Sequence, residues 1–285
     1  MSEAYVYQPE SRLSDYEQSV AILRSKCSQL KTEWVDPRPH LDEISQRILA
    51  NEILLRQLNA DVSGFRAYFD RAEYATRYPE YYRNNLSEKA FEHFVAQQLL
   101  NPGPSDVFID IASEGSPLPQ IMQRLYGSAS YAQDIMYRPG MNGTQIGGDA
   151  CSMPVSNGFA SCATLTCSLE HFEGDGDTRL FRELCRVLRT GGRVVVIPLY
   201  IFLEPAIQTD PTYSATLEIP FDRGATVYCA KGWRNRHGRW YSPETLRSRI
   251  MDACPEMRFT VYRLWNTDAV DPSIYARFVL VGQRL

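Results

Sequence analysis

The stretch Val107-Phe-Ile-Asp-Ile-Ala-Ser-Glu-Gly-Ser116 constrains this chain more than any other. An apolar run carrying Asp110 has the composition of a buried strand. Small residues follow it, then an apolar helical segment from Pro117. Strand, small-residue turn and helix is how an open α/β sheet builds a nucleotide-sized site at the carboxyl end of its first strand. Small residues let a ligand approach the backbone, and the helix start offers unpaired N–H groups.

From Val107 onward strand and helix alternate. Strands are expected at 107–111, 129–134, 144–149, 160–168 and 192–200, with helices at 117–126 and 177–189, the second stopped by Gly191-Gly192. Such alternation predicts a mostly parallel sheet with helices on both faces. An irregular stretch marked by Pro205, Pro211 and Pro220 follows, then a helix at 243–253 and an antiparallel pair of strands near 257–265 and 274–283.

Upstream the pattern is different. Residues 1–12 are polar and expected to be loose. A 3-4 spacing of apolar residues runs from Leu13 to Trp34, is interrupted by Pro37 and Pro39, and resumes through Leu41, Ile44, Ile48, Leu55 and Leu58 to Phe69. This predicts a helical N-terminal extension over residues 1–74, which serves either as a coiled-coil-like dimer seam or lid or as an appendage packed on its own domain. The tyrosine-rich link around Tyr68, Tyr74, Tyr78, Tyr81 and Tyr82 reads as a packed connector in preference to a flap over a ligand. One more amphipathic helix, 87–100, ends at Asn101-Pro-Gly-Pro.

Composition removes several function classes. A net charge of −4 gives no global pull toward nucleic acid or anionic membrane. Seven cysteines without a CxxC pair or zinc spacing read as reduced thiols, placing the protein in the cytoplasm. The apolar runs are too short to cross a bilayer, and no cluster has the ligand spacing of a metal site.

Asp110, Asp134 and Asp149 fall at the ends of the first three expected strands, which gather on one rim of a parallel sheet. An acid after the second strand can accept from two ribose hydroxyls. One after the third, in Gly148-Asp-Ala150, can accept from an adenine amino group. Further on, Leu169-Glu-His-Phe172 and Arg186-Val-Leu-Arg-Thr-Gly-Gly192 follow in order. With these segments, residues 75–285 resemble the class I S-adenosylmethionine-dependent methyltransferase family. The resemblance implies a seven-stranded, mostly parallel sheet with helices on both faces and S-adenosyl-L-methionine as cofactor. It implies Asp110, Ala112, Ser113, Gly115 and Ser116 at the methionine end of the donor, Asp134 at the ribose, Asp149 and Ala150 at the adenine, and Ser168 beside them. Ala112, Glu114 and Ser116 stand where the family prefers glycine, and Ala160 replaces an aspartate, so a degenerate scaffold protein is the alternative reading.

Methyl transfer from a sulfonium needs alignment and, for a hydroxyl, removal of a proton. Histidine suits that step. His171, at the expected rim of the fourth strand, and His237 are the candidate bases; the alternatives are a ring packed beside the donor and a surface-loop residue. Lys231, Trp233, Arg234, Arg236 and Tyr241, with Tyr200 upstream, are candidates for gripping a small-molecule or glycan acceptor, expected to be methylated at oxygen. The alternative is a structural loop whose arginines pair with acids.

Overall fold

The computed structural model describes Leu13, residues 15–34 and residues 36–285; residues 1–12, expected to be loose, lie outside this range. The chain forms two compact units. Unit one takes the residues up to Glu52, Leu169–Thr178 and Tyr200–Asp252, and unit two takes Ile53–Ser168, Arg179–Leu199 and Ala253–Leu285.

Unit two is built on one sheet. Its strands are β1 (Leu55–Asn59), β2 (Val107–Ile111), β3 (Ala129–Asp134), β4 (Gly140–Asn142), β5 (Gln145–Gly147), β6 (Ala160–Thr166), β7 (Leu188–Ile197), β8 (Met257–Trp265) and β9 (Phe278–Arg284). Their spatial order is β1-β8-β9-β7-β6-β2-β3-β5-β4. Only β9 and β4 run antiparallel to their neighbours. The expected seven-stranded sheet is therefore present, and a short strand has been added at each edge.

The two additions correct the sequence reading. Leu55 and Leu58 were expected to continue a helical stripe, but Glu52 takes a left-handed backbone (φ 57°) after the helix Leu41–Ala50, and β1 then pairs in parallel with Val261–Trp265. An open sheet edge supplies backbone partners that outweigh local helical spacing. The helices Leu41–Ala50 and Val62–Ala72 are thus separate, and no coiled-coil seam spans them. At the other edge, the expected strand 144–149 shrinks to β5, which folds back on β4 as a hairpin.

Gly191-Gly192 was read as a helix stop, yet the helix Gly176–Val187 ends earlier and both glycines lie inside β7. A Cβ on Gly192 would lie 2.8 Å from the Arg189 carbonyl oxygen and 3.2 Å from that of Ser161, so the bend there requires glycine. On one side of the sheet the helix Leu86–Leu100 packs Phe91, Phe94 and Val95 with Phe108, Val195 and Val279. Gly127, with φ 75°, ends the helix Leu118–Tyr126.

Unit one contains a second sheet that the sequence reading left as irregular chain. Leu30–Lys31, Thr226–Cys229, Ala206–Thr209 and Gly238–Trp240 lie in that order, the last antiparallel. Trp34 packs its ring against Tyr228 and Trp240 at centroid distances of 4.9 and 4.7 Å. The expected helix 243–253 forms as Pro243–Leu246, opened by a Ser242/Thr245 capping box, and continues as a wider turn over Arg247–Met251.

Candidate active site

In unit two the carboxyl ends of β2, β3, β5 and β6 point the same way, because these strands are parallel neighbours. Asp110 on β2 is fully buried. Its Oδ1 accepts a 2.7 Å hydrogen bond from Thr164 on β6, while Oδ2 is buried without a protein partner. Burial pushes its pKa up to about 7, against the opposing pull of the Thr164 and Ser116 hydroxyls. The turn that follows winds through left-handed backbone at Ala112 (φ 50°), Glu114 (φ 43°) and Gly115 (φ 76°). Two of these three residues carry a Cβ in a conformation that favours glycine.

Asp134 holds this turn in place. Its Oδ2 accepts from the Glu114 amide at 2.8 Å and its Oδ1 from the Met136 amide at 2.9 Å. A carboxylate offers about four acceptor sites, so both oxygens retain capacity for a ligand. Gln133, which sequence reasoning missed, bridges the rim: Oε1 accepts from the Ala112 amide and Nε2 donates to the Gly148 carbonyl at 2.7 Å. Asp149 accepts from the Cys151 amide at 2.8 Å, opening the short helix Ala150–Ser152, and lies 3.7 Å from Arg179. Ser113 meets the Tyr137 hydroxyl, Ser116 accepts from the Leu118 amide, and Ser168 donates to the Ile111 carbonyl. The residues named from the sequence thus lie at or just past the carboxyl ends of β2, β3, β5 and β6.

Against this turn opens a cleft of about 640 Å³, walled by Arg77, Tyr81, Tyr82, Glu114, Gly115 and Pro117. Glu114 thus faces the cleft. The tyrosine link is a packed connector over its first part, where Tyr68 and Tyr74 are buried and joined hydroxyl to hydroxyl. Tyr74 also meets His93 Nδ1 at 2.8 Å, and burial takes His93 down to about 3, leaving it neutral. The far end of the link, Tyr81 and Tyr82, lines the cleft.

Behind that wall lies a set of ionisable groups absent from the sequence expectations. Glu88, Lys89 and Glu92 on the helix Leu86–Leu100 are all buried, and Cys167, just past β6, and Tyr275 join them. In the sequence Glu88, Lys89, Glu92 and His93 share one face of the amphipathic helix, which reads as a solvated face; the structure corrects this, since all four are buried. Charges enclosed in this way must find partners inside.

Unit one holds the two candidate bases and the basic-aromatic segment. His171 and His237 are brought together: His171 Nδ1 lies 2.7 Å from the His237 carbonyl oxygen. The His171 side chain is 38% exposed, whereas His237 is buried. The Trp233 ring stands 5.9 Å from that of His171, and Tyr200 packs on Trp240. Lys231 sits over the Tyr16 ring, the Arg234 amide donates to Asp210, Arg236 pairs with Glu173 at 2.5 Å, and the Tyr241 hydroxyl donates to Asp177 at 2.8 Å. Arg236 and Tyr241 are thus committed to acids of their own unit. Burial raises Glu173 to about 7, with Arg239 opposing. Among the described residues no group of three or more metal-ligating side chains occurs, and no helix is long and apolar enough to cross a membrane.

Residues 127–196 match the family described as Methyltransferase domain. No curated protein matches the chain in sequence. Among solved structures, the 1,6-didemethyltoxoflavin-N1-methyltransferase of Burkholderia thailandensis, with bound 1,6-didemethyltoxoflavin and S-adenosylhomocysteine, is similar at 11% identity and TM-score 0.41, over 100% of this chain and 96% of that one. The geranyl diphosphate C-methyltransferase of Streptomyces coelicolor A3(2) is similar at 13% identity and TM-score 0.43, over 87% and 99%. An S-adenosylmethionine dependent methyltransferase from Mesorhizobium loti gives 18% identity and TM-score 0.45, over 68% and 98%.

Proposed function

We propose that this chain, whose residues 127–196 match the Methyltransferase domain family, transfers a methyl group from S-adenosyl-L-methionine to a small-molecule acceptor. The observation that carries the reading is the buried, unpartnered Oδ2 of Asp110 beneath a turn where Gly115 leaves open space. An acceptor atom of that kind suits the ammonium of an amino acid. The 110–116 turn would then hold the methionine end, Asp134 the ribose hydroxyls, and Asp149 with Ala150 the adenine. When bound, the donor would supply an electrophilic methyl group on a sulfonium.

The cleft of about 640 Å³ beside the turn suits a small molecule, with tyrosine faces on one wall. Oxygen is the proposed methylation site, which requires loss of the acceptor's proton. The seven cysteines all carry free thiols, which supports the cytoplasm as the compartment. Calorimetric titration with S-adenosylhomocysteine tests the reading. Micromolar binding, near −8 kcal/mol, is expected, and Asp134→Asn should weaken it.

A second reading, a non-catalytic partner-binding relative, is favoured by Ala112 and Glu114 standing in left-handed backbone and by the Glu114 side chain at the cleft. A folded sample that binds neither donor nor product would establish it.

A further inference from the structure

We propose that Cys167 and Glu92 form a proton-accepting pair at the donor rim, fixed by Lys89, and that this pair takes the proton of the methyl acceptor. The reaction it serves rests on the methyltransferase reading; its geometry rests on unit two alone.

The Cys167 thiol donates to Glu92 Oε1 at 3.1 Å, and Lys89 Nζ donates to both Glu92 oxygens at 3.1 and 3.3 Å. Glu92 is fully enclosed and Lys89 nearly so. Apolar residues of the same volume would stabilise a core helix at least as well, so a buried ionic set points to a use beyond packing. Three observations bear on that use, the first of them setting the pair beside the rim. Ser168, the next residue after Cys167, bonds the Ile111 carbonyl at the end of β2, where the donor turn begins. Cys167 itself is held at φ 46°, a strained backbone for a residue with a Cβ. Its sulfur lies 3.4 Å from the hydroxyl of Tyr275, a residue 41% exposed, while Cys167 is half-buried. The thiol therefore stands between the protein surface and the sealed carboxylate.

The groups facing the pair come from three elements. Glu88 and Lys89 lie on the same helix, Tyr81 and Tyr82 on the connector, with Lys89 Nζ 5.1 Å from the Tyr82 ring, and Tyr275 on the chain before β9. Glu88 accepts from the Tyr275 and Ala276 amides, and its carboxyl also hydrogen-bonds that of Glu92, helping burial to raise it. Burial raises the Glu92 carboxyl to about 8 although Lys89 works against it, the range in which a base near neutrality operates. In the step itself the acceptor O–H bond breaks and its electron pair stays on oxygen. That proton goes to the Cys167 sulfur while the thiol's own proton passes to Glu92 Oε1. Cys167 is unchanged and the carboxylate becomes a carboxylic acid, returned to the anion by release to solvent.

The test is iodoacetamide alkylation of Cys167 in the full chain, followed by peptide mass spectrometry as a function of pH. Above about pH 8, where the Glu92 carboxyl is ionised, Glu92→Gln removes its negative charge and leaves Lys89, so the alkylation midpoint should fall by about one pH unit. Independently, Cys167→Ala should move the titration of the Glu92 carboxyl, read from its infrared C=O stretch. Binding of S-adenosylhomocysteine reports an intact cradle in each variant. A midpoint or stretch that does not move in a protein that binds the product overturns the pair. Shifts as expected in a wild-type chain that binds no product would keep the proton-sharing pair and overturn its assignment to methyl transfer.

Discussion

His171 and His237 are locked to backbone carbonyls rather than to each other's rings. His171 Nδ1 lies 2.7 Å from the His237 carbonyl oxygen, and His237 Nδ1 lies 3.0 Å from that of Glu170. A carbonyl only accepts, so both rings carry a proton on Nδ1. His237 Nε2 is then a lone pair, buried without a protein partner.

Burial, with Arg239 and His171 adding to it, holds His237 well below the ordinary histidine value. Its ring should therefore stay neutral, protonated at Nδ1, through the mildly acidic range. The stability this contributes is complete above the unfolded pKa of about 6.5 and is lost as pH falls from there toward the folded value. Ring ¹⁵N shifts measured against pH decide the point. A His237 titration near neutrality would contradict the enclosed geometry.

Arg239 is a fully buried cation of unit one. It pairs with Asp222 at 2.7 Å and Asp177 at 3.2 Å, and it donates to the Phe172 and Gly174 carbonyls. Arg239→Met should destabilise by about 3–5 kcal/mol, because Asp177, itself fully enclosed, loses one of its cations. Urea denaturation measures this, and a loss below 1 kcal/mol would mean that Arg249, 2.7 Å from Asp177, compensates.

Asp110 gives a pH dependence of the opposite sign. Burial raises its pKa to about 7, so its favourable contribution is complete below about 3.8 and is lost as pH rises through about 7. Asp110→Asn removes this titration. Its stability relative to wild type should therefore climb across that window, by up to about 4 kcal/mol. Parallel melting-temperature curves for the two proteins would sink the prediction.

Glu114→Gly places glycine where the backbone is left-handed and removes a carboxylate from the cleft wall. The amide that donates to Asp134 is retained. Stability should be maintained or gain about 1 kcal/mol. Affinity for S-adenosylhomocysteine should rise, since one anion fewer faces the product's own carboxylate. A weaker affinity would show that the Glu114 side chain grips the ligand instead.

The order of the chemistry was legible in the sequence because it is local. Val107–Ile111 is apolar enough to be a covered strand, Asp110, Asp134 and Asp149 lie at or just past strand ends, and parallel strands bring such ends to one rim whatever the remaining contacts are. What spacing could not decide were choices made by distant partners. Leu55–Asn59 became a strand because the edge of β8 was open to it, and Gln133 became a bridge because Ala112 and Gly148 meet on either side of it. Glu88, Lys89 and Glu92 look like ordinary helix charges until Cys167 and Tyr275, far along the chain, enclose them. Local sequence sets strand, turn and which residue types reach a rim; only tertiary packing decides which charges lose water and which carboxylates find donors, since both depend on neighbours remote in sequence.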